Sequence, residues 1–157
     1  MAFILTDQNI EALIQERKFL PIRWDQKFIE KPRRGHIDYY LSVPGCAGKK
    51  FEIIRKKSAF DRSNFSVILG VYFPEVKDLF RLRRYNGNNH THTNPIERNV
   101  VSGFHIHTTT ERYQRKNLQD RRIRIDAYAA PTTRYQDIEG ALRCLIKDAN
   151  FQEPSRF

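Results

Sequence analysis

Four of the five histidines fall in two short stretches, His90-Thr91-His92-Thr93 and His105-Ile106-His107-Thr108. Both read H-x-H. Three kinds of chemistry suit that pattern. The first is acid–base work on a phosphodiester. Imidazole titrates near working pH, so a pair can take a proton from a 2′-hydroxyl and return one to the leaving oxygen. His105 and His107 are the expected pair, with Glu111 as the carboxylate beside them. The second is a metal centre. Neutral imidazole is a common ligand of zinc and other late divalent metals, and His90 and His92 would then join His105 and His107. The third is no chemistry at all, only a polar sheet face on which Thr and His are tolerated.

Cations and aromatics stand near both stretches. Arg81, Arg83, Arg84 and Tyr85 precede the first, and Arg112, Tyr113, Arg115 and Lys116 follow the second. A nearby cation stabilises charge building on phosphate, and Tyr offers a stacking surface. Arg83, Tyr85, Arg112 and Tyr113 are therefore the expected substrate-binding residues. A further basic-aromatic run, KKSAFDRSNFS, begins at Lys56, but nothing activates its serines as nucleophiles. His105, His107 and Glu111 fit the H-x-H-x3-E core of the first cupin motif, but its following glycine and the second motif are missing. His107-Thr108-Thr109 fits the H-x-T of two-histidine phosphoesterases, again without a second copy. P-loop, G-x-S-x-G, G-x-G-x-x-G and H-E-x-x-H motifs are absent.

Positioning these residues requires strands. Ile37, Tyr39, Leu41 and Val43 alternate with polar neighbours, and residues 51–55, 65–73 and 79–85 also read as strands. Asn86-Gly87 fits a two-residue type I′ turn, with residues 88–93 returning as the paired strand. Residues 104–110 form a further strand, and 123–127 another. Residues two apart on a strand face the same way. His105, His107, Thr109 and Glu111 should thus share a face that looks into a cleft. Phe104 and Ile106 should take the core. By the same alternation Arg81, Arg83 and Tyr85 share one face, and Arg84 joins Phe80 and Leu82 on the other. Thr6 caps an N-terminal helix that Pro21 stops, with Ile10, Leu13 and Ile14 as its apolar face. Thr133 and Gln136 form a capping box for a C-terminal helix bearing Ile138, Leu142 and Leu145. Residues 21–35 read as an irregular connection, and 112–124 as a basic, mobile loop. The expected fold is one α+β domain spanning 1–157, an antiparallel meander of five to seven strands flanked by an N-terminal and a C-terminal helix.

Composition sets the surroundings. Lys plus Arg total 28 against 18 acidic residues, a formal charge of +10, and the pI is near 9.9. That balance favours polyanionic partners. Cys46 and Cys144 lack CxxC spacing, so neither a zinc ribbon nor a redox pair is indicated. The first residues lack the basic start of a signal peptide, and no stretch approaches the roughly 20 apolar residues of a membrane span. A cytoplasmic location with no membrane partner is the expectation.

The run Arg84-Tyr85-Asn86-Gly87, His92-Thr93-Asn94, His105-Ile106-His107 and Thr110-Glu111-Arg112-Tyr113, with the helix after Tyr135, resembles a family of small uncharacterised prokaryotic proteins. The similarity runs from about Asn64 onward. It implies a prokaryotic, self-contained domain whose pattern includes the histidine segments, and it carries no activity. The leading expectation is a basic intracellular domain that binds and cleaves RNA without a cofactor, in the manner of a small-toxin endoribonuclease. The alternatives are a histidine-based domain for a divalent metal such as zinc, and a non-catalytic component of a toxin–antitoxin or phage-defence system that binds a cognate protein.

Overall fold

In the computed structural model, residues 2–155 are described; Met1, Arg156 and Phe157 lie outside them. Thr6 opens helix α1 (Asp7–Gln15) with a reciprocal cap. Its Oγ1 accepts from the Asn9 N–H at 3.0 Å, and Asn9 Oδ1 accepts from the Thr6 N–H. The chain then runs through β1 (Lys18–Phe19), a 3₁₀ turn (Trp24–Gln26), β2 (Ile29–Arg33), β3 (His36–Pro44), β4 (Lys50–Ser58), β5 (Phe65–Val71) and β6 (Phe80–Asn86). After β7 (His92–Thr93), β8 (Val100–Val101) and β9 (His105–Thr108) come α2 (Glu111–Gln119), β10 (Ala129–Pro131), α3 (Ile138–Asp148) and β11 (Phe151–Gln152).

Seven strands form one antiparallel sheet in the order β10-β9-β6-β5-β4-β3-β2. The α+β class, the antiparallel sheet and the two terminal helices match the expectation from sequence. Alternation gives the sheet two faces. Leu41, Val43, Phe51, Ile53, Val67, Leu69, Val71 and Tyr85 pack with Ile10, Leu13, Ile14, Leu142 and Leu145 from α1 and α3 in the main core. The opposite face carries the polar rows described below. The ladder shifts by one residue between Leu69 and Gly70, where Leu69 faces Arg83 and Gly70 faces Arg81. Leu82 is the extra residue. A bulge of this kind resets the alternation, so Phe80 and Leu82 enter the core that also holds Tyr85. Arg81 therefore does not share a face with Arg83 and Tyr85, and Arg84 does not share one with Leu82.

Several other expectations change. Neither Asn86 nor Gly87 has a positive φ, so they make no type I′ turn. The Gly87 N–H instead donates to Phe65 O at 2.9 Å, and a Cβ there would stand 1.9 Å from Ser63 O. The return strand shrinks to β7, which pairs only with β8 in a separate ribbon. β6 is paired by β9, and β10 holds the next place in the sheet in lieu of a strand at 123–127. The connection at 21–35 contains edge strand β2, where Pro32 is tolerated because an edge has no partner to lose on one side. The basic loop is helix α2. Thr110 Oγ1 accepts from the Tyr113 N–H, Glu111 pairs with Arg115 one turn on, and Tyr113 and Gln114 are its buried residues. So narrow an apolar stripe gives little periodic signal. Asp137, not Thr133, caps α3.

α1 ends well before Pro21, and a buried lysine explains why. Lys18 is wholly inaccessible. Its Nζ lies 2.7–3.0 Å from the carbonyl oxygens of Leu13, Ile14, Glu16 and Ala149, four acceptors around three N–H donors, and 4.4 Å above the Phe51 ring. These carbonyls belong to the C-terminal ends of α1 and α3, which lack intrahelical donors and carry partial negative charge. Burial pulls the ammonium down to about 8, so it remains a cation at neutral pH. One side chain thus fastens both helices beside the parallel pair β1–β11. Lys18→Met would strand those carbonyls and should cost about 3 kcal/mol, since each hydrogen bond to a charged group is worth roughly 1.5–3 kcal/mol. That corresponds to a fall in Tm of roughly 6–12 °C for a chain of this size. A variant melting with the parent would show the ammonium to be dispensable.

Candidate functional site

The sheet register builds the site. Residues directly opposite across antiparallel strands share a face. One row runs Tyr40, Ile54, Ile68, Arg84, His107, Ala129, and the next runs Asp38, Lys56, Ser66, Asn86, His105, Pro131. His105 and His107 therefore lie side by side on the face away from α1 and α3, their ring centroids 5.1 Å apart. The excursion that carries β7 folds over this face. It sets the His92 ring 4.6 Å from His107 and 5.9 Å from His105. The His90 ring reaches within 5.8 Å of His105. The four imidazoles do gather, although β7 is not a neighbour of β9 in the sheet.

Each inner ring is held by a backbone carbonyl. His107 Nδ1 lies 2.8 Å from Asp126 O, His105 Nδ1 2.9 Å from Gly103 O, and His92 Nε2 2.6 Å from Ala127 O. A carbonyl only accepts, so these nitrogens carry the protons. On a neutral ring the other nitrogen keeps a lone pair. His105 Nε2 is buried with no hydrogen-bond partner among the described residues. Beside His107, Arg84 Nε stands 3.3 Å from the buried carboxylate of Asp126. Burial, then the Arg84 guanidinium and the neighbouring rings, pushes the His107 imidazole down to about 2. Burial first, with His92 and His90 adding to it, lowers His105 as well. Among the described residues no three His, Cys, Asp or Glu side chains stand ready as a metal-binding set.

The facing expected for β9 holds, with Phe104 and Ile106 toward the main core and the histidines on the opposite face, but the expected cleft is closed. His105 and His107 are 0% and 2% exposed, whereas Phe104 and Ile106 are half-buried at the margin of the core. The reason is coverage. β9 lies one strand from the sheet edge, and its histidine face is roofed by His92 and by the backbone of Asp126 and Ala127. Neither buried ring can meet a phosphodiester as an acid or base in this arrangement.

The other expected residues are dispersed. Strand β9 stops at Thr108, so Glu111 begins α2 and pairs with Arg115. Arg83 is on the helix face, 4.0 Å from Glu11. Tyr85 is 0% exposed and donates to Asp148 Oδ2 at 2.6 Å. Tyr113 is 1% exposed and bonds to Glu97, which also takes Arg112 at 2.9 Å. Neither tyrosine can stack a base. Asp126, Asn86 and Ser66, which sequence reasoning passed over, share the histidine face; isolated polar residues on strands and loops carry no spacing signal.

A second feature stands at one end of the same face. The β2–β3 and β4–β5 tips lie together, joined by the Ala59 N–H donating to Gly35 O. Between them opens a pocket of about 340 Å³ lined by Arg34, His36, Lys56, Lys57, Asn64 and Ser66 among others, with no carboxylate in its wall. Arg34 and Lys57 make no ion pair among the described residues, while Lys56 lies 3.8 Å from Asp38. The neighbouring tip at 59–64 is shaped by its own side chains. Ser58 Oγ accepts from the Phe60 and Asp61 N–H groups, and Asp61 Oδ1 accepts from Ser63. That leaves Phe60 89% exposed. The run KKSAFDRSNFS announced this tip; the partnership with Arg34 and His36 was not visible in it.

The buried rings imply a pH signature. His107 stays neutral in the folded chain down to about 2, while an unfolded histidine binds a proton near 6.5. Between those values the unfolded chain holds more protons, so stability falls as pH falls from about 6.5, at up to about 1.4 kcal/mol per pH unit for one such group. Urea unfolding with chelator present at pH 7, 6 and 5 should show this decline, and His107→Asn should make it shallower, His105 keeping its own share. An equal slope in the variant would assign the decline to other groups. No protein-family model, no curated protein and no solved structure matches this chain, so its functional reading rests on this geometry.

Proposed function

We propose that this protein binds single-stranded nucleic acid, RNA or DNA, at the paired β2–β3 and β4–β5 tips. The observation that carries the reading is the meeting there of a carboxylate-free cationic pocket with an exposed aromatic ring. Arg34 and Lys57, with Lys56 deeper in, offer charge to the phosphates. Phe60 offers a face to a base. Cations that follow the backbone and aromatics that stack bases are the two components of sequence-tolerant single-strand binding. The net charge of +10 adds long-range attraction. The reading is one of binding. The buried pair His105 and His107 has no part in it, because neither ring reaches solvent.

Fluorescence anisotropy with a labelled RNA oligomer, repeated with the DNA equivalent, tests it. Affinity should fall steeply with salt, because each neutralised phosphate releases condensed counterion. Arg34→Ala with Lys57→Ala should weaken binding and reduce the salt slope by roughly 1.4, about 0.7 for each single-strand phosphate no longer neutralised. Phe60→Ala should weaken binding by roughly tenfold, since stacking is worth about 1–3 kcal/mol per base. Its effect on stability should stay within about 0.5 kcal/mol, as for other exposed positions. Heparin separates the two components, because it has charge without bases and should ignore Phe60→Ala. Binding indifferent to all three substitutions would refute the assignment.

A further inference from the structure

We infer that His92, His105 and His107 form a three-imidazole site for a divalent late transition metal, zinc in the first instance. Three observations converge. The first is spacing. A metal–nitrogen distance of about 2.0–2.1 Å puts the centroids of three tetrahedrally arranged imidazoles about 5 Å apart. The observed separations are 4.6, 5.1 and 5.9 Å. The second is support. Metal-bound histidines commonly donate their other ring N–H to a carbonyl or carboxylate, which fixes tautomer and orientation. Here Gly103 and Asp126 supply those carbonyls to His105 and His107. The third is an unmet demand for a partner. His105 Nε2 is buried with no hydrogen bond among the described residues, and leaving a buried polar atom unpaired is costly. A cation on its lone pair would remove that cost.

The rings as they stand are not a finished donor set: the His92 and His105 planes are only 14° apart, so binding entails turning His92 away from its present bond to Ala127 O. That ring is only half-buried and sits on the two-residue strand β7, outside the main sheet. The local charge does not forbid a cation. Arg84 faces His107, but its guanidinium is matched by the Asp126 carboxylate 3.3 Å away. His90 is exposed, reaches only His105, and touches Asn89 Oδ1; it stays outside the set, and water completes the coordination.

The test uses the full chain stripped with chelator and then dialysed against zinc alone. Elemental analysis should find one zinc per chain, and Tm should climb with free zinc, because the ion binds only the folded form. Cobalt in its place should give the intense visible bands of a low-coordinate nitrogen-ligated ion. His92→Asn should weaken zinc binding by more than about tenfold, a change that even supporting-residue substitutions can produce. His90→Asn should leave it within about twofold. Parent protein without stoichiometric zinc, or His92→Asn binding zinc as tightly as the parent, would overturn the site. Should His92→Asn fail to fold, the parent's cobalt spectrum decides alone, and bands of hexa-aqua cobalt count against the proposal.

Discussion

One continuous ladder of backbone hydrogen bonds, from Tyr40 through Ile68 and Arg84 to His107 and Ala129, decides what every other part of the structure can do. Antiparallel pairing leaves no freedom in facing once register is set, since a slip of one residue moves every side chain to the other face. The bulge at Leu82 is the point where that register is adjusted. Downstream of it Tyr85 belongs to the helix-covered core, and Arg84 and Asn86 belong to the face that meets β9. The imidazole row follows from that adjustment. So does the withdrawal of Arg83 and Tyr85 from any surface a ligand could share with the histidines.

The two faces divide the work of the sheet. The helix face is almost wholly apolar and holds the large buried side chains, so hydrophobic burial there supplies the main driving force. Lys18 belongs to this side: its buried ammonium joins the ends of α1 and α3, and their placement on the sheet follows from it. The opposite face buries few apolar residues, Ile54 and Ile68 chief among them. It is closed instead by polar groups, with His92 and His107 bonded to the backbone of residues 126 and 127. Burying neutral rings against carbonyls costs far less than burying charge, which is why imidazoles can fill this layer and why they resist protonation there.

One row of the sheet links the pocket to the imidazole cluster. Lys56 and Ser66 stand opposite each other at the pocket end, Ser66 Oγ donates to Asn86 Oδ1, and Asn86 lies opposite His105. The cationic tips and the imidazole cluster thus occupy neighbouring stretches of the same surface layer. No helix among the described residues is long and apolar enough to cross a membrane.

Local chemistry written into consecutive residues was legible from the start. Thr6 and its apolar stripe announced α1, alternation announced β3 and β5, and the basic-aromatic run announced the tip that carries Phe60. These features depend on neighbours within a few positions, which the chain specifies directly. The gathering of the histidine pairs was legible as a possibility, because H-x-H on a strand points both rings one way. Which side they take was legible too, because Phe104 and Ile106 claim the core. That their side would be closed was not, because the cover came from segments remote in sequence. The roof of His92 and Asp126 covers one face, and α1 and α3 leave β9 at the margin of the other. The same holds for α2, whose polar stripe becomes a helix through capping and the burial of Tyr113, and for Lys18, whose partners lie up to 131 residues away. Sequence determined the elements and their alternation; tertiary packing decided which side of each strand was dry, because burial depends on what crosses the strand and not on the strand itself.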